Sequence, residues 1–391
     1  MLISCLAFGL RKKLDFQIFG KVVHMARRKQ EQVYYSLDNI LSKNCHYNLI
    51  VGERSNGKTY ACLKYGIEQY AKHGHQLAIL RRFREDFTGK RGAELFAALV
   101  QNSEVTKATD GEWTGIYYYA SRWFFCRYDE NGTRVTDTVP FAYGFSITQM
   151  EHDKGTAYPM VKNIVFDEFI TRSAYLPDEF ILFTNTLSTI IRQRNDVKIF
   201  MLGNTVNKFC PYFNEMGLKH IKDMNQGDID VYRVGTSGLK IAVEYCGTSK
   251  VNRKKSDIYF SFDNPKLEMI TSGIWEIDIY PHCPCKYKPK DVLYTYFVEY
   301  DGEMLQCEIV MVDDMAFTFV HRKTTPIKDE ENDLVFSQRW NPRPNFRRKI
   351  TERVPLVQKL YSYFANDKVF YQDNEVGEIM RNYLLWCGKD V

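Results

Sequence analysis

Residues 52–59 are the most constraining feature of this sequence, because they read GERSNGKT and match the phosphate-loop pattern G-x-x-x-x-G-K-[ST] in full. A short apolar run, 46–51, precedes them, and residues 60–74 follow with helical character and end at a glycine. Strand, loop and helix in this order is the context that gives the pattern its meaning. A chance glycine-rich turn is the alternative, and both the full match and its context disfavour it.

We expect this loop to bind the phosphates of ATP, since its amide groups and the following helix N-terminus favour an anion. Lys58 is expected to reach the β- and γ-phosphates and to act in catalysis, and the Thr59 hydroxyl to hold Mg²⁺. The expected ATP-binding residues of the loop are Gly52, Glu53, Arg54, Ser55, Asn56, Gly57, Lys58 and Thr59.

Two adjacent carboxylates, Asp167 and Glu168, end the apolar run IVF about 110 residues after the loop. We expect Asp167 to bind Mg²⁺ through water, and Glu168 to orient and deprotonate the attacking water. Carboxylates at a strand end can also be a solvated helix cap, but here they accompany a complete phosphate loop.

Three further polar residues have both a functional and an ordinary interpretation. Asn204 follows the next apolar run and could bond the γ-phosphate or the water, or simply open a turn. Arg192 and Arg194 come where an amphipathic helix ends, so one of them could reach a neighbouring subunit's γ-phosphate as an arginine finger. Helix C-termini favour cations in any case, so position alone does not decide between these interpretations.

A basic stretch, RRFREDFTGKRG, follows the second apolar strand and contains Arg81 and Arg82. We expect Arg84, Lys90 and Arg91 to contact DNA phosphates, which would position the nucleic acid without reading its sequence. A solvated basic loop is the alternative for each of them.

Apolar runs that alternate with helical segments predict a mostly parallel sheet covered on both faces, an α/β fold of the P-loop NTPase type. An aromatic, β-prone segment from Trp113 with Asn131-Gly132 as its turn signal predicts inserted β-hairpins. Ligands bind at the carboxyl ends of such strands, and the loop, the two carboxylates and Asn204 all follow strand ends.

With 391 residues, the chain is long enough for two domains. We expect an N-terminal extension at 1–30, an ATPase domain at 31–230, a linker region at 231–262 and a smaller strand-rich α+β domain at 263–391. The basic residue cluster of the N-terminus follows its short apolar run, so neither a signal peptide nor a membrane span is expected. Met25 is a second candidate start.

Composition excludes several other classes of protein. A net charge of +5 with 45% hydrophobic residues is typical of a globular protein, and argues against a fully basic nucleic-acid binder or global disorder. Ten irregularly spaced cysteines indicate reduced thiols in a cytoplasm. The pair in HCPC (282–285) lacks the further ligands of a zinc site, and Asp278, Asp313 and Asp314 do not form a recognisable two-metal nuclease pattern.

With these residues placed, the chain resembles the DNA-encapsidation ATPases of phi-29-like short-tailed bacteriophages. The resemblance depends on the phosphate loop, LRRF, DKGTAYP ahead of IVFDEFI, IIRQRN and LGNTVNKFCPYF, in that order. It covers about residues 35–215, and the rest of the chain only by layout.

The resemblance implies a ring ATPase, a pentamer on the portal vertex of a prohead in the host cytoplasm, that moves double-stranded DNA inward during packaging. It implies that Arg192 acts on a neighbouring subunit, that Lys154 lies near the interfacial phosphate, and that Arg84 faces the pore. It also implies that the second domain is similar to an RNase H-like nuclease that has lost its catalytic carboxylates. The extension and larger second domain leave the use of a packaging RNA open.

Three functions therefore compete on sequence grounds. The first is an ATP-driven packaging motor with ATP and Mg²⁺ as cofactors, bound to DNA and to the portal protein. The second is a terminase-like enzyme with an active C-terminal nuclease, and a P-loop DNA translocase that does not act in packaging is a further alternative. The third is an assembly factor that binds nucleotide without hydrolysing it.

Overall fold

Two β-sheets organise the protein in the computed structural model, which describes residues 35–149, 155–172, 175–235, 238–246, 275, 280–283, 285–329 and 331–388. The N-terminal extension with Met25, the candidate phosphate contact Lys154, and Asp278 lie outside the described residues. None of the helices in these ranges is long and apolar enough to cross a membrane.

The first sheet has six parallel strands at its centre. Within the described residues the order across the sheet is β3-β4-β6-β2-β7-β8-β1-β10-β9, with β5 paired to β4, and all strands from β6 to β10 in that order are parallel. Their bounds are β1 Tyr47–Gly52, β2 Gln76–Arg81, β3 Gly115–Tyr119, β4 Arg122–Tyr128, β5 Arg134–Thr136, β6 Ala142–Ser146, β7 Val161–Asp167, β8 Lys198–Asn204, β9 Ile229–Val234 and β10 Leu239–Tyr245.

Both faces of this sheet are covered, as the apolar runs predict. Alternate residues of β7 belong to different hydrophobic clusters, with Ile164 and Phe166 in one and Val165 in the other. The helices of this part are α1 Asp38–Leu41, α2 Lys58–His73, α3 Gly89–Glu94, α4 Ala97–Gln101, α5 Glu104–Ala108, α6 Glu179–Ile191 and α7 Pro211–Glu215. Helix α6 packs Phe183, Leu187 and Ile190 into the first cluster, and α2 packs Cys62, Leu63 and Ile67 into the second.

The inserted hairpins predicted from the aromatic segment are present as β3, β4 and β5. They pair antiparallel, and β4 joins β6 at the edge of the parallel strands. Gly132 has a φ of 76° in the turn between β4 and β5, a conformation that its lack of a side chain permits. The prediction of a P-loop α/β sheet with a hairpin insertion is therefore confirmed.

The segment expected as a linker, 231–262, begins with sheet structure. Strand β10 pairs in parallel with β1, and β9 pairs antiparallel with β10. The glycines of the turn between the two strands made this part resemble a linker, whereas residues 241–245 of β10 are buried and pair with β1. The first sheet thus extends to Tyr245, and the division of the chain into domains stays a prediction.

The second sheet is strand-rich and mixed, as expected for the C-terminal part. In the described residues its order is β15-β14-β11-β12-β13-β16, with β11, β12 and β13 antiparallel and β14 and β16 added in parallel. The bounds are β11 Val292–Tyr300, β12 Glu303–Val312, β13 Met315–Arg322, β14 Val335–Ser337, β15 Phe346–Arg347 and β16 Val369–Tyr371, with helices α8 Pro355–Ala365 and α9 Asn374–Cys387.

The segment after β8 connects the two sheets. Phe209 packs in the hydrophobic cluster of the second sheet, among residues of β11, β12 and α9. The buried Asn207 amide donates to Asn382 Oδ1 of α9 at 2.8 Å. Within five residues of Asn204, the chain that leaves β8 therefore contacts the second sheet and its helix α9.

Candidate functional site

Three neighbouring parallel strands end together and so assemble the candidate site. Strand β8 lies between β7 and β1 in the sheet, and register pairs Gly52 with Asn204 and Asp167 with Leu202. Parallel strands have their carboxyl ends on the same edge, which is where α/β sheets bind ligands. The phosphate loop, the two carboxylates and Asn204 therefore meet although they are far apart in the chain.

These residues surround a cavity of about 260 Å³. Its lining contains the C-terminal half of the phosphate loop, both carboxylates and the end of β8. The lining residues are Ser55, Asn56, Gly57, Lys58, Thr59, Tyr60, Asp167, Glu168, Leu202, Gly203 and Asn204.

The phosphate loop has the backbone shape that an anion cradle needs. Ser55 and Gly57 have φ values of 59° and 94°, so the chain reverses tightly before α2 begins at Lys58. The Asn56 side chain accepts from the Lys58 amide at 3.1 Å and is itself buried. Glu53 is also buried, whereas Arg54 is exposed and lies outside the cavity lining.

The Lys58 ammonium is held inside the loop by oxygen atoms. It donates to Glu53 O at 2.6 Å, to Gly52 O at 3.3 Å and to Asn204 Oδ1 at 3.3 Å. Burial lowers the pKa of Lys58 from 10.5, and the nearby Asp167 and Glu53 carboxylates act in the opposite direction. A buried cation so close to the loop amides is suited to receive a phosphate oxygen.

The residues expected to bind Mg²⁺ fit that ion. Thr59 Oγ1 donates to Asp167 Oδ1 at 3.2 Å, and both residues border the cavity. A hydroxyl and a carboxylate are hard oxygen donors of the kind that Mg²⁺ prefers beside phosphates. One metal ion between nucleotide and strand end therefore suits this pair chemically.

Glu168 follows Asp167 on the cavity wall with an exposed side chain and a φ of 60°. Left-handed backbone is uncommon for a residue other than glycine, asparagine or aspartate, and such strain clusters at functional sites. Directly after this turn, the Phe169 amide still donates to Leu202 O of β8 at 3.1 Å. Both carboxylates thus border the same cavity.

Arg81 is a site residue that sequence reasoning grouped only with the basic stretch. Its guanidinium forms an ion pair with Asp167 Oδ2 at 2.8 Å, because β2 neighbours β7 and both strands end at this edge. The signal in the sequence is an arginine at the end of a buried strand, but strand order is needed to pair it with Asp167.

Arg192 lies away from this cavity. It follows the last residue of α6 with a φ of 54°, is exposed, and donates to Thr156 O at 3.1 Å. Its neighbour Arg194 donates to Val161 O at the start of β7. Since β7 has seven residues rising about 3.3 Å each, Arg192 is roughly 20 Å from the Asp167 end of that strand.

The expected DNA contacts lie beyond the end of β2. Arg84 is exposed at the start of a short 3-10 turn, Arg84–Phe87, and lines a second cavity of about 340 Å³ together with Arg122 and Ser146. Lys90 and Arg91 are exposed on α3, and Lys90 pairs with Glu94 at 3.3 Å. Arg84 and the α3 cations therefore have different surroundings.

The other metal candidates are not assembled in the described part of the chain. Within the described ranges, no three His, Cys, Asp or Glu side chains are grouped so that they could hold a metal ion. Asp313 and Asp314 form the turn between β12 and β13, and the Cys283 thiol donates to Cys285 O at 3.1 Å. The cysteines of the described residues are free thiols.

Comparison with known proteins relates this site to viral DNA packaging. A family model described as podovirus DNA encapsidation protein (Gp16) matches residues 29–233, just over half of the chain. The match includes the phosphate loop, both carboxylates, Arg192 and Asn204.

Two curated relatives are DNA packaging proteins of Bacillus phages. That of phage B103 is 28% identical over 190 residues, which is 48% of this chain and 52% of the relative. That of phage phi29 is 29% identical over 199 residues, 50% of this chain and 53% of the relative. The chain thus spans about half the length of the curated relatives it matches.

A solved structure described as the Phi-28 gp11 DNA packaging motor has a similar fold. The TM-score is 0.52 at 19% sequence identity, and the match covers 90% of this chain and 98% of that chain. The likeness extends over both sheets, beyond the residues that the family model matches.

Proposed function

The chain belongs to the podovirus DNA encapsidation protein (Gp16) family, and from that premise we propose that it is an ATP-driven motor that moves double-stranded viral DNA into a preformed capsid. The relatives named as DNA packaging proteins support this function. ATP hydrolysis at the cavity between the phosphate loop and β7 supplies the work.

One observation carries the proposal: Lys58, Thr59, Asp167, Glu168 and Asn204 border a single cavity. Phosphoryl transfer needs positioning and charge stabilisation more than covalent help from the protein. A lysine, a hydroxyl, two carboxylates and an amide around this one cavity supply those elements. A nucleotide-binding protein without turnover has no need for the exposed Glu168.

The roles follow from the positions. Lys58 exchanges its carbonyl partners for phosphate oxygens, while the loop amides hold the β-phosphate. Thr59 and Asp167 hold Mg²⁺, which when bound neutralises charge on the phosphates. Glu168 orients a water for in-line attack and accepts its proton, and Asn204, already bonded to Lys58, contacts the γ-phosphate or that water.

Arg192 acts on the nucleotide of a neighbouring subunit in this proposal. The roughly 20 Å between it and the Asp167 end of its own strand is too far for direct contact. A ring of copies, a pentamer by resemblance, would bring this edge of one sheet to the nucleotide edge of the next. Lys154, which lies outside the described residues, is proposed at the same interfacial phosphate.

DNA contacts are proposed for Arg84, Lys90 and Arg91, whose exposure leaves their charges available to phosphates. The ring would assemble in the host cytoplasm on the portal protein of the prohead. A packaging RNA is not part of this proposal.

The test is ATP turnover by purified protein with DNA and Mg²⁺, with and without proheads. Glu168→Gln removes the base while keeping the size of the side chain, so hydrolysis is expected to fall by at least about 100-fold, the scale of a general-base contribution. A wild-type rate no higher than that of Glu168→Gln, also with proheads, would contradict the proposal.

A further inference from the structure

Arg82 contacts the strained turn at Glu168, and we propose that it is the positioning residue that holds this glutamate for hydrolysis. This inference rests on the proposed ATPase function. A glutamate at a φ of 60° persists only where its surroundings force that conformation. The Arg82 side chain, which does not line the cavity, forms hydrogen bonds with the backbone of this turn.

The Arg82 guanidinium donates to the two carbonyl groups that follow Asp167. Its NH1 group donates to Glu168 O, and its NH2 group donates to Phe169 O at 2.6 Å. The Phe169 amide donates to Leu202 O of β8 at 3.1 Å. The peptide groups on the C-terminal side of Glu168 are thus bonded on two sides.

The opposite side of the guanidinium is fixed by Glu179, the first residue of α6. Arg82 Nε lies 3.0 and 3.1 Å from the two Glu179 carboxylate oxygens, and NH2 lies 2.8 Å from one of them. Glu179 is 2% exposed and also accepts from Tyr212 OH at 2.9 Å and from the Leu176 amide at 2.8 Å. The bonds to Glu179 therefore fix the orientation of the Arg82 guanidinium beside the turn.

Arg81 and Arg82 contact different members of the Asp167–Glu168 pair. Arg81 bonds the side chain of Asp167, while Arg82 bonds the backbone of Glu168 and leaves its side chain exposed to the cavity. Hydrogen bonds to the Glu168 backbone fix the position of its side chain, and they do so without forming an ion pair with its carboxylate. A planar guanidinium has five N–H donors spread over three nitrogen atoms, so Arg82 reaches two carbonyls and both oxygens of a carboxylate, whereas a lysine has three donors on a single nitrogen.

The experiment compares Arg82→Lys with wild type in the full-length protein. The number of competent sites is first counted by titration with ATPγS, and the hydrolysis rate is then expressed per site. We expect kcat per site to fall on the order of 10- to 100-fold, because a small misplacement of a catalytic group has that effect. KM and the ATPγS dissociation constant should stay within about twofold, since the lost contacts act on the transition state.

Arg322→Lys is the matched control. Arg322 of β13 likewise bridges two carboxylates, Glu303 and Glu375, but in the second sheet. The Arg322→Lys substitution should lower thermal stability without lowering kcat per site. An equal fall in both variants, or a parallel loss of ATPγS affinity in Arg82→Lys, would make Arg82 a merely structural residue and overturn the inference.

A second variant covers the case in which Arg82→Lys does not fold. Arg82→Met combined with Glu179→Gln removes both buried charges together. The glutamine oxygen still accepts from the Leu176 amide, and the glutamine NH2 group can donate to the Tyr212 hydroxyl oxygen. The same loss of kcat per site is expected. If wild type hydrolyses ATP faster than Glu168→Gln but the double variant matches wild type, the inference alone fails; if wild type does not exceed Glu168→Gln, the proposed function fails first.

Discussion

Lys58 shows how a single residue balances stability against function. Its charge is buried among carbonyls, so folding lowers its pKa, with burial as the main cause. A lysine with a lowered pKa reduces stability while it is protonated, and this penalty fades as the pH rises from the folded pKa toward 10.5. The cation is therefore retained at a cost in stability, which fits a residue that awaits an anionic ligand.

The prediction at this position concerns nucleotide affinity. Lys58→Ala removes a charge-assisted hydrogen bond to phosphate, so the ATPγS dissociation constant should rise by about 10- to 100-fold, in line with about 1.5–3 kcal/mol. Lys64→Ala is the control on the same helix, because Lys64 is 40% exposed and pairs with Glu104 and Glu68. Equal affinity of the two variants in a binding titration would contradict the role of Lys58.

Packing between elements sets a second prediction, at Gly203 of β8. A Cβ at this position would lie 2.6 Å from Ile170 Cδ1 and 3.0 Å from Phe169 Cε1, both buried side chains. Strand propensity alone favours alanine over glycine. The overlap should outweigh that gain and lower the free energy of unfolding by about 1–3 kcal/mol.

Gly155→Ala is the control for this substitution. A Cβ at Gly155 would meet no atom within 4 Å, and the residue has no positive φ, so its replacement should change stability by less than about 0.5 kcal/mol. Both variants are compared with wild type in urea unfolding. If the Gly203→Ala protein is as stable as the Gly155→Ala protein, β8 and the turn after Glu168 accommodate the methyl group without loss of unfolding free energy, and the prediction is wrong.

On β12 of the second sheet, Glu308 makes stability depend on pH. Hydrogen bonds from His321, then Tyr287 and Gln306, lower the pKa of Glu308 from 4.5 to about 2, although burial acts in the opposite direction. A lowered carboxyl pKa stabilises the fold above its unfolded value, and this stabilisation is lost as the pH falls from 4.5 to about 2.

Glu308→Gln should therefore reduce the free energy of unfolding at neutral pH, by up to about 3 kcal/mol for such a shift. The difference from wild type should shrink as the pH falls through the window from 4.5 to about 2. Urea unfolding at a series of pH values measures it. A difference that stays constant with pH would show that the lost hydrogen bonds, rather than the charge, carry the effect.

At the scale of the whole molecule, the first sheet has candidate functional residues at two opposite edges. The phosphate loop and carboxylates lie at the carboxyl ends of the parallel strands, while Arg192 lies near the start of β7. Helix α6 runs between these edges, from Glu179 beside the Glu168 turn to Ile191 beside Arg192. Any action of Arg192 on ATP consequently requires another copy of the chain.

A mixing experiment tests that requirement. Arg192→Ala subunits added to wild type should reduce DNA-dependent ATP turnover by more than their share, because each one disables a neighbouring wild-type site. Lys198→Ala, at the first residue of β8 on the same edge, is the control and should not depress the rate. A linear decline with the fraction of Arg192→Ala would remove the role between subunits.

Local patterns predicted most of the secondary structure, since burial on one or both faces imposes a periodicity on the sequence. The apolar runs before the phosphate loop, the basic stretch, Asp167 and Asn204 are all strands of the first sheet: β1, β2, β7 and β8. Strand β10 lies within the segment expected as a linker, and its partner β1 lies almost 200 residues earlier in the chain.

The sequence by itself determined the chemistry of the candidate site, because GERSNGKT, Asp167-Glu168 and Asn204 are local patterns at strand ends. Only the tertiary structure decided which side chains serve them. The order β2-β7-β8-β1 brings Arg81 to Asp167 and Arg82 to Glu168, and it leaves Arg192 at the far edge. Strand order depends on pairing across long stretches of chain, and no local periodicity records that pairing.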